Sequence, residues 1–109
     1  MEKYVPLVTK NCVRKILPAE IVYIMRKSRK IMIVTDREIY EYYGKLEQVS
    51  QVLDRRFFAC LRGCIINLDK VLRMEEQHIY MTNGEPILMG RDSFIRAKQY
   101  YTAYLKKLL

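Results

Sequence analysis

The chain is poor in the residue types on which most enzymes depend. It holds one histidine, four glycines and three cysteines in 109 residues. The lone His78 follows Glu75, Glu76 and Gln77, where a solvated turn histidine is the ordinary outcome, and a Cys–His nucleophile would need a thiol next to it in space. The glycines build neither a phosphate-binding loop nor a dinucleotide fingerprint. Catalysis is therefore not expected, and with it no cofactor and no small-molecule substrate. Three cysteines cannot all pair, and Met1-Glu2-Lys3 reads as a cytoplasmic start. Cys12, Cys60 and Cys64 are thus expected as reduced thiols that act as small buried hydrophobes. Together with His78 they lack the spacing of a zinc site, so no metal is expected. No apolar run approaches the ~20 residues of a membrane span, and no signal-peptide pattern opens the chain. Linkers, repeats and low-complexity tracts are missing too.

What the chain does have is positive charge. Its formal net charge is +8 and its isoelectric point about 9.5, on an ordinary background of 50% hydrophobic and 29% charged residues. Residues 1–109 make one domain's worth of chain. Polyanions are the natural partners of such a domain, nucleic acid first and an anionic membrane surface second. The charge is also local: Arg26-Lys27-Ser28-Arg29-Lys30 contains no acid, and Glu38, Glu41 and Glu47 lie further on.

Short apolar runs alternate with turn signals, which predicts mostly β structure. Strands are expected over Tyr4 to Thr9, Cys12 to Leu17, Ile21 to Met25, Ile31 to Thr35 and Glu38 to Tyr43. Pro18-Ala19-Glu20 marks a break of about one helical turn. The basic run is expected as the loop joining the third and fourth strands. Leu46, Val49 and Leu53 recur at helical spacing, so Lys45 to Leu53 is a short amphipathic helix. Lys70 to Met74 is a further strand, turned back by Glu75-Glu76-Gln77. Ile79 to Thr82 and Glu85 to Met89 flank Asn83-Gly84, the preferred pair for a type I′ hairpin turn. Pro86 cannot donate to a ladder and belongs on an edge. From Asp92 the period becomes helical: Phe94, Ala97, Tyr101, Tyr104, Leu105 and Leu108 share one face, with Asp92 or Ser93 as N-cap.

Three basic positions are candidates for nucleic-acid contact, each with a bland alternative. Arg26, Lys27, Arg29 and Lys30 form either a binding loop or a solvated turn. Arg62, beside Gly63 in a segment anchored by Phe57, Phe58, Ile65 and Ile66, either reaches a partner or makes a surface ion pair. Arg91, in Gly90-Arg91-Asp92-Ser93, either meets a partner or pairs with Asp92. Arginine can fork two bonds to guanine, whereas lysine sits more often against phosphate.

The segment Arg-Phe-Phe-Ala-Cys-Leu-Arg-Gly-Cys-Ile-Ile-Asn, residues 56–67, resembles the Phe-Phe-x-Cys-His-x-Ser-x-x-Val-Asn signature of the LytTR family of bacterial DNA-binding domains. The resemblance continues through Tyr43-Gly44-Lys45-Leu46, Asn67-Leu68-Asp69-Lys70-Val71 and Ile79 to Glu85, and covers nearly the whole chain from about Tyr4. It implies small antiparallel sheets stacked as an elongated β-sandwich-like domain, with one short helix and a C-terminal helix. It also implies a cytoplasmic, sequence-specific transcriptional regulator that binds double-stranded DNA at paired direct repeats, with a homodimer on DNA as one arrangement. Arg29 or Lys30 and Arg91 would take major-groove roles, and Arg62 would reach the minor groove between them. Most members carry an N-terminal receiver domain, for which 109 residues leave no room, so either a stand-alone regulator or an excised domain is expected. Stand-alone members imply a membrane-embedded inhibitor as partner.

The sequence also departs from the family pattern. Leu61 stands where histidine is usual, and Gly63 and Gly90 stand where serine is usual. Those losses motivate an alternative, a protein-interaction module of the same fold with a weakened DNA face. Salt separates the two, because phosphate contacts release counterions and an apolar interface does not. Adsorption to anionic vesicles without preference among duplexes marks the membrane alternative.

Overall fold

The computed structural model describes residues 3–107. Met1 and Glu2, part of the expected cytoplasmic start, and Leu108, expected on the apolar stripe of the last helix, lie outside the described residues. Ten strands and two helices follow one another in the order β1 (Val5–Val8), β2 (Val13–Ile16), β3 (Ile21–Lys27), β4 (Lys30–Thr35), β5 (Ile39–Tyr43), α1 (Leu46–Ser50), β6 (Phe57–Leu61), β7 (Cys64–Asn67), β8 (Val71–Glu75), β9 (His78–Met81), β10 (Pro86–Leu88) and α2 (Arg91–Lys106). All strand pairs are antiparallel. They form a β1-β2 hairpin, a five-stranded sheet ordered β5-β4-β3-β7-β6 and a three-stranded sheet ordered β10-β9-β8.

The large sheet is the middle layer, which explains why β3, β4 and β7 are near-continuous in β-branched residues. On one face Ile24, Ile31, Ile33 and Ile65 meet Val5, Leu7 and Ile16 of the hairpin and Val49 of α1. On the other, Val34, Cys64 and Ile66 meet Val71, Ile79 and Met81 of the small sheet and Ala97 of α2. Each fully buried isoleucine or leucine contributes about 1.5–3 kcal/mol. The resulting body measures 40 × 32 × 24 Å. Mostly-β architecture with stacked antiparallel sheets and two helices is thus as expected.

Asn67 ties the layers together. It is 0% exposed, and its amide donates to the Ile21 carbonyl at 2.8 Å. Its side-chain oxygen accepts from the Asp69 amide at 3.0 Å and caps the 3-10 turn Leu68–Lys70. Tyr101 donates to the Val71 carbonyl at 3.0 Å and Tyr104 to the Asp69 carboxylate, fastening α2 beside the small sheet. Burial and that carboxylate raise the Tyr104 hydroxyl to about 12.

Several local expectations are corrected. The basic run is not a loop: β3 continues to Lys27 and β4 starts at Lys30, so only Ser28 and Arg29 turn the chain. Ser28 takes φ 60° there. The β3–β4 register, which places Arg26 opposite Ile31 and Lys27 opposite Lys30, carries both strands into the charged residues. The tight turn with two positive φ values is at Glu76 (50°) and Gln77 (64°), not at Asn83-Gly84. Asn83 keeps negative φ, and Gly84 (φ 87°) closes a wider connection in which its N–H donates to Met81 at 3.0 Å. His78 consequently opens β9 rather than lying in the turn. Pro86 does sit on an edge strand. The helix α1 is only five residues, because Val52 and Leu53 continue in i→i+3 bonds to Val49 and Ser50. Gly90, not Asp92 or Ser93, is the N-cap of α2. Leu105 is 42% exposed, off the packed face of that helix.

Candidate nucleic-acid interface

The strand register brings the first two basic segments to one end of the large sheet. Because β3 and β7 run antiparallel with Met25 opposite Cys64, the end of β3 and the start of β7 lie side by side. The Ser28-Arg29 turn and the Arg62-Gly63 turn are therefore neighbouring tips. The Arg26 N–H donates to the Gly63 carbonyl at 2.7 Å and locks them together. Gly63 has φ 79°, and a Cβ there would come within 3.4 Å of the Arg26 Cβ. The left-handed backbone conformation calls for glycine, while the Arg26 side chain packs against it at van der Waals distance.

Within the first tip, Lys27 lies directly opposite Lys30, and Lys30 directly opposite Tyr43. Two like charges directly across a ladder are destabilising. Two contacts offset part of this. The Lys27 ammonium pairs with Glu41 at 3.5 Å, and the Lys30 ammonium sits 5.2 Å from the Tyr43 ring centroid. Arg26 extends from the other face of β3, since alternate residues along a strand point to opposite faces.

The third segment arrives by way of α2, which lies beside the edge strand β6. A groove of about 1010 Å³ runs between them, with Leu61, Arg62, Ser93, Arg96 and Tyr100 among its lining residues. Arg91 opens α2 two residues before Ser93, so the start of the helix lies on the Arg62 side of the molecule. Arg96 is a groove residue that the helical period alone assigns to the solvated side of α2. Its position bordering the Phe94–Ala97 stripe, beside Ser93 to which it donates at 3.4 Å, is the available signal. Tyr100 stacks on Phe58 with ring centroids 4.4 Å apart, closing the floor of the groove.

Charge is distributed unevenly along the large sheet. At the far end cations are matched with acids: Arg14 with Glu20, Lys70 with Asp36 at 2.8 Å, and Arg56 with Asp54 at 2.8 Å. The Lys70 ammonium and the Thr82 hydroxyl hold the Asp36 carboxyl below the usual carboxylate range, and Arg56 does the same for Asp54. At the tip end, among the described residues, Arg26, Arg29, Arg62 and Arg91 make no ion pair. Arg91 is not paired with Asp92, and the surface ion pair considered for Arg62 does not form.

The cysteines are structural. Cys60 and Cys64 are buried on the α2 side of the large sheet, whereas Cys12 packs with the hairpin on the other side. The Cys60 thiol faces the Cys64 carbonyl at 3.7 Å. Its neighbour's sulfur and burial push it up, away from reactive thiolate character. Among the described residues, no helix is long and apolar enough to cross a membrane.

A stiff sheet whose hairpin tips and flanking helix start present unpaired arginines at one end has the architecture of a β-scaffolded DNA-binding domain. The chain belongs to the LytTr DNA-binding domain family, whose model matches residues 11–102. It is 34% identical over 61 residues to accessory gene regulator protein A from two strains of Staphylococcus epidermidis, a match covering 54% of this chain and 25% of each relative. The match thus spans about a quarter of the length of these curated relatives. A solved LytTr DNA-binding domain from Bacillus cereus superimposes with a TM-score of 0.75 at 16% identity, over 92% of this chain and 97% of that one. The family is one of DNA-binding domains and not of enzymes, and this chain is a member of it.

Proposed function

We propose that residues 1–109 act as one cytoplasmic, sequence-specific DNA-binding unit of a transcription regulator. Arg29 and Lys30 at the first tip and Arg91 at the start of α2 reach base edges in successive major grooves. Arg62 enters the minor groove between them, where a narrow A·T-rich stretch attracts arginine. Arg26, Lys27 and Arg96 neutralise phosphates along the way. Two copies on paired direct repeats would place their tip ends along one side of the duplex. The observation that carries this reading is the Arg26–Gly63 bond of 2.7 Å, which holds two cationic tips as a single rigid edge.

The test is selection of bound duplexes from a random pool by the 109-residue chain, followed by a salt titration on the winners. Enrichment of a repeated motif is expected, with log affinity falling by about 0.9 per phosphate contact for each decade of salt. Failure to enrich any duplex, or an affinity indifferent to salt, overturns the reading.

A further inference from the structure

Tyr43 is 76% exposed, the most exposed tyrosine among the described residues. Its neighbours Tyr40 and Tyr42 are half-buried against the hairpin side of the sheet, so their rings contribute to the fold. The Tyr43 ring is instead exposed and meets only the Lys30 ammonium among the aromatic and cation–ring contacts of the described residues. It stands at the last residue of the edge strand β5, in a cross-strand row with Lys30 and Lys27. The row lies at the tip end of the sheet, where the arginines are unpaired.

The backbone just beyond Tyr43 is fixed as well. The Gly44 N–H donates to the Arg29 carbonyl at 3.4 Å, tying the end of β5 to the first tip. A Cβ on Gly44 would lie 3.0 Å from the Tyr42 ring, so the chain leaves the strand along a path that a larger residue would obstruct. That path delivers Lys45, exposed and, among the described residues, without an ion-pair partner.

We propose that Tyr43, with Lys45 behind it, is a fourth DNA-contacting element that holds a backbone phosphate on the outer flank of the site. This rests on the DNA-binding reading above. The strand order puts β5 at the sheet edge, on the side of the first tip away from Arg62. With strands about 4.8 Å apart, Tyr43 stands roughly 15 Å from β7, outboard of the bases that Arg29 and Lys30 would reach. The phenol O–H donates to a phosphate oxygen, a common sequence-independent contact for tyrosine. Lys45 adds a point charge, and the Tyr43 ring keeps the Lys30 ammonium turned toward the duplex. The phosphate in turn relieves the repulsion between Lys27 and Lys30.

The experiment measures affinity of the 109-residue chain for a selected duplex and for versions trimmed base pair by base pair from either end. Tyr43→Ala, Tyr43→Phe and Lys45→Ala are compared with the parent, and thermal melts confirm the fold. Tyr43→Ala is expected to weaken binding about tenfold or more, the scale of a hydrogen bond to a charged group. Tyr43→Phe should lose most of that while melting as the parent does. Trimming one particular flank should weaken the parent but leave Tyr43→Ala almost unaffected, because the contact is already gone. Lys45→Ala should lower the salt slope by about one contact's worth. If the parent binds and Tyr43→Ala binds within a factor of about two, or trimming weakens both alike, this inference is overturned and the DNA-binding reading stands. If the parent binds no duplex, both fall together.

Discussion

Arg26 and Gly63, far apart in the chain, meet at the tip of the molecule through a main-chain bond of 2.7 Å, with the Arg26 side chain lying over the glycine. The contact makes two hairpin ends mechanically one. Gly63→Ala should therefore weaken DNA binding beyond any loss of stability. The left-handed backbone costs a side chain about 1–2 kcal/mol, so relaxing it moves the Gly63 carbonyl that Arg26 holds. Affinity corrected for folded fraction, read by anisotropy, is the measurement. Unchanged corrected affinity would show that the tips act independently.

Arg62 and Arg91 should differ in kind. Arg91→Ala should cost about 1–3 kcal/mol on the preferred duplex and much less on scrambled DNA, as loss of a bidentate base contact does. Arg62→Ala should instead relax the preference for A·T pairs between the two major-groove contacts. A loss that is equal on every duplex would reduce either residue to a phosphate contact.

Lys30→Met is expected to separate stability from function. It removes the like-charge opposition with Lys27 while keeping an unbranched side chain on the Tyr43 ring. Stability should hold or rise by a few tenths of a kcal/mol, the scale of a cross-strand pair. DNA affinity should fall, more on the preferred duplex than on scrambled DNA, as the loss of a base contact does. Chemical denaturation and binding to the two duplexes test both halves.

Asn67→Ala should destabilise by about 1–3 kcal/mol. The Ile21 carbonyl and the Asp69 amide both lose a partner there. For a domain of this size that is a drop of several degrees in Tm, about 4–8 °C per kcal/mol. A shift smaller than about a degree would mean that water replaces both bonds.

The Asp36–Lys70 pair predicts acid sensitivity. The Lys70 and Thr82 bonds hold the folded carboxyl below its unfolded value. Its contribution is therefore complete above an unfolded value of about 3.9 and is lost as pH falls through the lower folded value. Asp36→Asn should flatten that part of the stability–pH curve, with the Tm difference from the parent shrinking as pH drops below about 4. A constant difference down to the acid limb would sink the assignment.

Much of the scaffold can be read directly from residues. Ile21 to Met25 and Ile31 to Thr35 are β-branched runs, and a strand buried on both faces leaves no other reading of them. The signature around Phe57, Phe58 and Asn67 is legible for the same reason: it combines large anchors with one buried amide. The turns are harder to read. Glu76-Gln77 takes the tight two-residue turn despite lacking glycine, because the β8–β9 register pairs Glu75 with His78 and dictates the conformation. Asn83-Gly84 has the better local chemistry but sits in a wider connection between β9 and β10, in which the Gly84 N–H turns back to the Met81 carbonyl at 3.0 Å. Arg96 has only its place bordering the Phe94–Ala97 stripe to mark it, because the groove it lines exists only once α2 has docked on β6.

By itself, then, the order of amino acids determined where the backbone extends, where it coils and how much positive charge it carries. Those are properties of neighbouring residues, set by side-chain period and backbone sterics. Only the tertiary structure decided that unpaired arginines gather at one end while the cations at the other are matched with acids. That outcome depends on β3 pairing with β7 and α2 lying along β6, which are contacts between distant segments that no local preference encodes.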